Sequence, residues 1–194
     1  MSLIILVITL AAEIVTTLLV IASIVLPQKR IWPPGQQHAT GQHVMLLLFI
    51  VSASGVVLLG LADWGRFIIP TWMRIAVGVP LWLAGDLLAL WAMAALGVAP
   101  TAGDEGALVR RGPYGFSRNP QYVGFIIGLV GWGLMANSAL TLIASITGII
   151  PLVLVPFAEE PWLLAHHGAA YEEYRRAVPR FVGFKNRNHK CTRL

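Results

Sequence analysis

Charge is what this chain has least of. Asp, Glu, Lys and Arg make up 12% of its 194 residues and hydrophobic residues 57%, too little charge to cover the surface of a soluble domain. Cysteine is nearly absent. Cys191 stands alone, which excludes a disulfide framework and any cysteine-built zinc or iron–sulfur site within one chain. No strand-like alternation is present and no G-x-G-x-x-G follows a strand, so a soluble Rossmann-type domain is excluded. Acidic residues are few, 9 against 14 basic, for a net charge of +5. The basic residues fall between apolar blocks and in the tail. That placement orients membrane spans, so no nucleic-acid partner is expected.

What is present is a series of long apolar blocks, the pattern of an all-α integral membrane protein. Ser2 to Leu26 is apolar apart from Glu13 and a few hydroxyls. It lacks the basic start and short apolar core of a cleaved signal peptide and reads as a first span. Val44 to Ala62 is a second and Trp72 to Val98 a third, with Asp86 near its middle. Tyr122 to Ala136 is apolar but short, roughly 22 Å at helical rise. After Asn137 the run Ala139 to Ala158 turns back, which predicts a tight hairpin of the fourth and fifth transmembrane helices. With the amino terminus outside, Lys29, Arg30, Arg110, Arg111, Arg118 and the seven basic residues from Arg175 onward lie inside, twelve of the 14. Only Arg66 and Arg74 then lie outside, and the carboxy terminus is cytoplasmic.

Pro151, Pro156 and Pro161 recur at intervals of five. Each removes a backbone donor and crowds the preceding turn, so the fifth span is expected to bend or locally unwind near its cytoplasmic end. Gly124, Gly128, Gly131 and Gly133 have the small-residue spacing that lets helices approach closely or leaves room for a ligand; packing is the simpler reading. From Trp162 to Val178, Leu163, His167, Ala170, Tyr171 and Tyr174 recur at helical spacing, and Glu172 and Arg176 are placed for an i,i+4 pair. This predicts an amphipathic helix on the cytoplasmic surface, lying on lipid or covering a site formed by the preceding loop.

Chemistry is concentrated in Gly112 to Tyr122, G-P-Y-G-F-S-R-N-P-Q-Y, directly before the hairpin that ends at Glu159 and Glu160. Polar groups at the edge of a membrane-embedded segment usually serve function. Asn119 followed by Pro120 is a helix start: Asn caps free amides, and proline fits the first helical position. The helix amino end presents N–H groups and a partial positive charge suited to a carboxylate. Glu159 and Glu160 can accept bonds from hydroxyl or ammonium groups, and Tyr114 and Tyr122 offer aromatic faces to a cation. A ligand with a carboxylate, an ammonium, a ribose and a positive sulfur meets all of these.

The stretch R-G-P-Y-x-x-S-R-N-P-x-Y-V-G, followed by an apolar hairpin, E-E and then G-A-A-Y-E-E-Y-R-R-A-V-P-R-F, resembles the isoprenylcysteine carboxyl methyltransferase family and its relatives among the phospholipid methyltransferases. The resemblance covers roughly Ala99 to Phe184, and paired motifs with the right hairpin between them are far more specific than one short motif. The spans give a three-helix membrane scaffold over 1–98, about which the resemblance says little, and the resemblance implies a cofactor-binding catalytic region over 99–194. It also implies S-adenosylmethionine as cofactor, with S-adenosylhomocysteine as product. By motif, the implied cofactor residues are Gly106, Ala107, Leu108 and Val109, then Tyr114, Asn119, Pro120, Gln121, Tyr122 and Glu159. Arg118, Asn119 and Tyr122 are the expected catalytic residues. Two positions depart from the family's pattern: His usually stands where this chain has Asn119, and the eukaryotic carboxyl methyltransferases have a substrate-associated arginine where this chain has Val155. These departures bear on the acceptor more than on the methyl donor.

An activated sulfonium methyl is displaced in line, so positioning and exclusion of water are the main tasks. A carboxylate acceptor is deprotonated at neutral pH and requires no base, whereas an ammonium must first lose a proton. The loop holds no obvious base, which favours the carboxylate of a prenylcysteine-like lipid; a phospholipid amine or a small thiol is the alternative. Arg118, with Arg110 or Arg111, can pair with such an anion or simply anchor at a headgroup surface. The expected partners are membrane lipids and a lipophilic methyl acceptor, whose tail enters sideways between spans while the donor enters from the cytoplasm.

Other polar residues have plainer readings. Glu13 and Asp86 lie at similar depth and must face the bundle interior, as structural polar contacts or as a proton or ion path; the latter would make the chain a small transporter or channel. Asp86 is roughly 20 Å of helix from Ala99, too far for methyl chemistry. Arg74 can snorkel to the outer surface. His38 and His43 lie in the first cytoplasmic loop, and the adjacent His166 and His167 diverge by about 100°, a poor chelating pair, so no metal is expected. Cys191 to Leu194 superficially fits a prenylation box, but Arg193 occupies an aliphatic position.

Overall fold

The computed structural model describes residues 1–33, 39–101 and 106–183. The described residues form helices and no strand. Six helices matter here: α1 Ser2–Val25, α2 Ala39–Ala62, α3 Thr71–Leu96, α4 Pro120–Ala136, α5 Ala139–His167 and α6 Ala169–Ala177. By length and composition α1, α2, α3 and α5 are long and apolar enough to cross a membrane. The expected fourth span, α4, is apolar but has 17 residues, about 26 Å at helical rise and short of a hydrocarbon core of about 30 Å. Many large apolar side chains, Leu3, Ile4, Val7, Leu47, Leu61, Trp72 and Leu87 among them, point outward, the inversion of a soluble surface that lipid permits.

Glycine decides which helices touch. A Cβ at Gly124 would stand 2.6 Å from the Ala89 nitrogen, and one at Gly85 would stand 2.6 Å from the Gly124 oxygen. Gly131 abuts the Trp82 backbone in the same way. Gly124 and Gly131 therefore serve backbone approach to α3, the packing reading of their spacing, while Gly128 faces the Asp86 side chain and Gly133 faces Leu142 of α5. Within α3 the Val79 amide bonds the Arg74 carbonyl, widening the helix to a π-turn over Arg74–Gly78. The widening immediately precedes Pro80, which cannot donate and crowds the turn before it.

The region after Ala158 differs from expectation. α5 runs without a break through Pro151, Pro156 and Pro161 to His167; it does not unwind. Isolated prolines are tolerated in membrane helices because neighbouring groups satisfy the freed carbonyls. The amphipathic stretch from Trp162 to Val178 is consequently two pieces, the last turns of α5 and the separate α6. The break is Gly168, at φ 54° and ψ −130°, a conformation available to glycine and hardly to other residues. Its amide closes α5 on the Leu164 oxygen at 2.9 Å and its carbonyl opens α6 by accepting from Tyr171 at 3.1 Å. The expected Glu172–Arg176 pair is present at 3.1 Å. His38 and the Cys191 to Leu194 tail lie outside the described residues.

Candidate active site

The loop before α4 is fixed by the chain segment after α6. The Arg118 amide donates to the Pro179 oxygen and the Asn119 side-chain Nδ2 to the Arg180 oxygen, each at 2.9 Å. Asn119 is the residue before the first turn, at φ −132° and ψ 53°, but its side chain makes no capping bond. The capping role expected of it is thus corrected. The returning strand of chain offers a carbonyl that takes the side-chain amide, and the amino end of α4 has no side-chain cap.

The two glutamates at the end of α5 point in different directions, as consecutive helical residues must at about 100° per residue. Glu159 turns toward α4 and the first loop: its Oε1 accepts from the Tyr122 hydroxyl at 2.6 Å and from the Trp32 indole at 2.7 Å. Glu160 turns the other way, into a buried ion cluster. Arg118 reaches it at 2.9 Å, with both side chains under 10% exposed, and Arg180 grips it through both oxygens at 2.7 Å. Arg180 also stacks on Phe157 at 3.9 Å, and the bonds it donates to Glu160 push its pKa further up. Glu160 is therefore not free for a ligand, and the charge of Arg118 is matched within the protein.

Around Glu159 opens a pocket whose wall gathers most of the residues singled out from the sequence: Gly106, Ala107, Leu108, Val109, Tyr114, Arg118, Asn119, Gln121, Tyr122 and Glu159. Pro120 is buried at the first turn of α4 and does not line it. Pro33, Leu96, Pro100 and Thr101 on this wall were not expected, and Trp162, Leu163, His167, Tyr171 and Tyr174 belong to the stretch expected to lie on lipid or to cover the site. The extension of α5 past Pro161 supplies the first three of the latter five and α6 the two tyrosines. Burial raises the phenols of Tyr114 and Tyr174, and it pushes Tyr171 up to about 12, so all three stay protonated at neutral pH. Tyr174 donates to the Tyr114 oxygen at 2.8 Å, and Tyr171 accepts from Arg118 at 3.4 Å.

A second cavity, of about 490 Å³, lies between the helices. Its wall is mainly apolar, with Phe49, Val56, Phe125, Leu129 and Leu152 among its residues. Thr101, Gln121 and Tyr122 line both spaces, so the polar pocket and the apolar cavity meet at the first turn of α4. Glu13 and Asp86 line the cavity. Arg74 does not snorkel; its Nε donates to the Met135 oxygen at 3.0 Å and its guanidinium lies over Trp64 at 5.2 Å, because the end of α4 offers an unpaired carbonyl nearby. His166 stacks on Trp162 and meets His167 edge-on. Among the described residues no group of three or more His, Cys, Asp or Glu side chains is arranged for a metal ion.

Residues 73–170 match the family model described as phospholipid methyltransferase. Among curated proteins, the steroid 5-alpha-reductase DET2 of Solanum lycopersicum is 29% identical over 111 residues, 57% of this chain and 43% of that protein. The protein-S-isoprenylcysteine O-methyltransferase of Schizosaccharomyces pombe is 37% identical over 89 residues, 42% of this chain and 35% of that protein. The chain spans less than half the length of either relative. No solved structure matches. The family match covers just over half of the chain and includes both the loop before α4 and the paired glutamates, so this all-helical protein, with helices apolar enough for several membrane spans, belongs to the phospholipid methyltransferase family.

Proposed function

We propose that the protein is an S-adenosylmethionine-dependent methyltransferase acting on a lipophilic acceptor, most favourably the carboxylate of a prenylcysteine-like lipid. One observation carries the reading: a polar pocket and an apolar cavity share Thr101, Gln121 and Tyr122. A soluble donor and a lipid acceptor require such a junction. The pocket residues fit the donor. The amino end of α4, without a side-chain cap, suits its carboxylate, Glu159 accepts from its hydroxyls or ammonium, and the ring of Tyr114 stands on the same wall. When bound, the cofactor supplies an activated methyl on a positive sulfur. The protein's part is to hold and orient, with Tyr122 and Trp32 fixing Glu159 and α6 excluding water. The pocket end carries the basic residues Arg110, Arg111, Arg118, Arg175 and Arg176, which supports a cytoplasmic placement. Both curated relatives are named for lipophilic groups, steroid and isoprenylcysteine.

A second reading has its own observation. His167 lines the pocket and offers the base that an amine or thiol acceptor needs. Labelled methyl transfer to a prenylated cysteine, a phosphatidylethanolamine and a thiol separates the two. An ester releases its label as methanol on alkaline treatment, so label retained in the lipid after base would overturn the carboxylate reading. Absence of S-adenosylhomocysteine binding would reject the methyltransferase altogether and return the transporter or channel alternative.

A further inference from the structure

The apolar cavity contains polar groups that the protein leaves unsatisfied. Glu13 is 1% exposed and lines the cavity, yet neither of its carboxyl oxygens has a hydrogen-bond partner. The Thr147 hydroxyl stands within reach of Glu13, but it donates to the carbonyl oxygens of Ile143 at 2.6 Å and Ala144 at 3.3 Å, which leaves it only an accepting role toward the carboxyl. Ser52 Oγ, on the same wall, is also buried without a partner. Asp86 joins them from α3. Side chains of three helices thus bring oxygens to a space bounded mainly by apolar side chains. Glycine keeps that space clear: a Cβ at Gly148 would stand 2.9 Å from Glu13 Oε1, and one at Gly128 would stand 2.7 Å from Asp86 Oδ1.

A core selected only for packing has no use for these groups, because a buried polar atom without a partner destabilises the fold. Gly128 is six residues from Tyr122 on α4 and Gly148 is eleven from Glu159 on α5. At helical rise the polar groups therefore lie about 9 to 16 Å from the junction with the donor pocket. We propose that the cavity binds an acceptor whose apolar body carries a hydroxyl group at that distance from the methylated atom, bonded by Glu13 and Ser52. The proposal deepens the reading of the cavity as the acceptor site and rests on it. A hydroxyl both donates and accepts, so it satisfies a carboxyl in either protonation state and the serine as well. An ammonium would have to shed its hydration inside the bilayer. A plain hydrocarbon tail leaves Glu13 and Ser52 as they are.

The test uses matched probes, dodecanoic acid and ω-hydroxydodecanoic acid, titrated into the full chain in detergent without methyl donor. Concentrations are fixed within the detergent phase so that partitioning is not read as binding. Wild type should bind the hydroxylated probe about tenfold more tightly, the worth of one net buried hydrogen bond. Glu13→Leu should abolish that preference with a melting temperature no lower than wild type, since it replaces an unpartnered carboxyl by an apolar group. Ser52→Ala should reduce the preference part-way and provides the reading if the Leu variant misfolds. Equal binding of the two probes by wild type, as when water already occupies the site, overturns the proposal. So does a preference that survives Glu13→Leu, or binding of neither probe. Because no donor is present, failure of methyl transfer with the preference intact would sink the proposed activity and leave the hydroxyl site standing.

Discussion

The two ends of α4 are built from similar residues to opposite purposes. Each is marked by an asparagine. At the carboxyl end Asn137 adopts the left-handed conformation, φ 53°, and nearby groups pair within the protein. Its backbone oxygen accepts from Phe67 at 2.8 Å and its side chain from the Ile69 amide at 2.9 Å, while Gly65 takes the Ala136 oxygen at 2.9 Å. Ser138 donates to Asp63 at 2.7 Å and caps α5 through the Thr141 amide at 3.1 Å. At the amino end the Asn119 side chain turns away from the helix, and the first turn borders a pocket. A helix terminus closed on itself is architecture; one that faces a cavity without a side-chain cap is where a ligand can be held.

The largest effect should come from the glutamate that belongs to architecture despite sitting beside the pocket. Glu160→Ala strands Arg118 in a buried site and should cost about 3 to 5 kcal/mol of stability; thermal unfolding with wild-type stability would break the distinction between the glutamates. Glu159→Ala should instead weaken S-adenosylhomocysteine binding by about 1.5 to 3 kcal/mol. Calorimetry in detergent checks this, with Asp86→Ala as the variant expected to bind normally. At the closed end, Asn137→Ala should lose about 1 to 2 kcal/mol of stability through a strained backbone and a lost acceptor, with cofactor affinity unchanged. Asn137→Gly should restore the backbone share alone. Smallest of all, Glu172→Ala should not measurably shift the melting temperature. Its carboxyl is held below the usual range by Arg175 and Arg176, but exposed pairs of this kind contribute little.

Much of this was legible in the sequence, and the missing parts share a cause. The apolar blocks gave the helices, because hydropathy and length act locally. The pocket residues from Gly106 to Tyr122 lie on one short stretch and Glu159 closes the adjacent hairpin, so a motif could gather them. Trp32 could not be gathered, since its bond to Glu159 joins residues 127 positions apart. The engagement of Glu160 by Arg180 depends on where the chain returns after α6, which no local pattern specifies. Asn119 reads as a cap by residue type, yet a carbonyl from that same returning segment competes for its side chain. Pro161 suggested a helix end because proline rules are drawn largely from water-exposed helices, where no packed neighbour compensates.

The glycine contacts between α3 and α4 have a mechanical consequence. Gly85, Gly124 and Gly131 bring the two backbones into direct contact and the rings of Trp82 and Trp132 meet beside them, so the two helices should move as one unit. α2 and α3 both line the apolar cavity, through Ile50 and Val57 on one side and Asp86 and Met93 on the other, and among the described residues no glycine brings their two backbones together. Under the function proposed above, a long hydrocarbon chain entering from the bilayer should part α2 from α3 and leave the glycine seam between α3 and α4 closed.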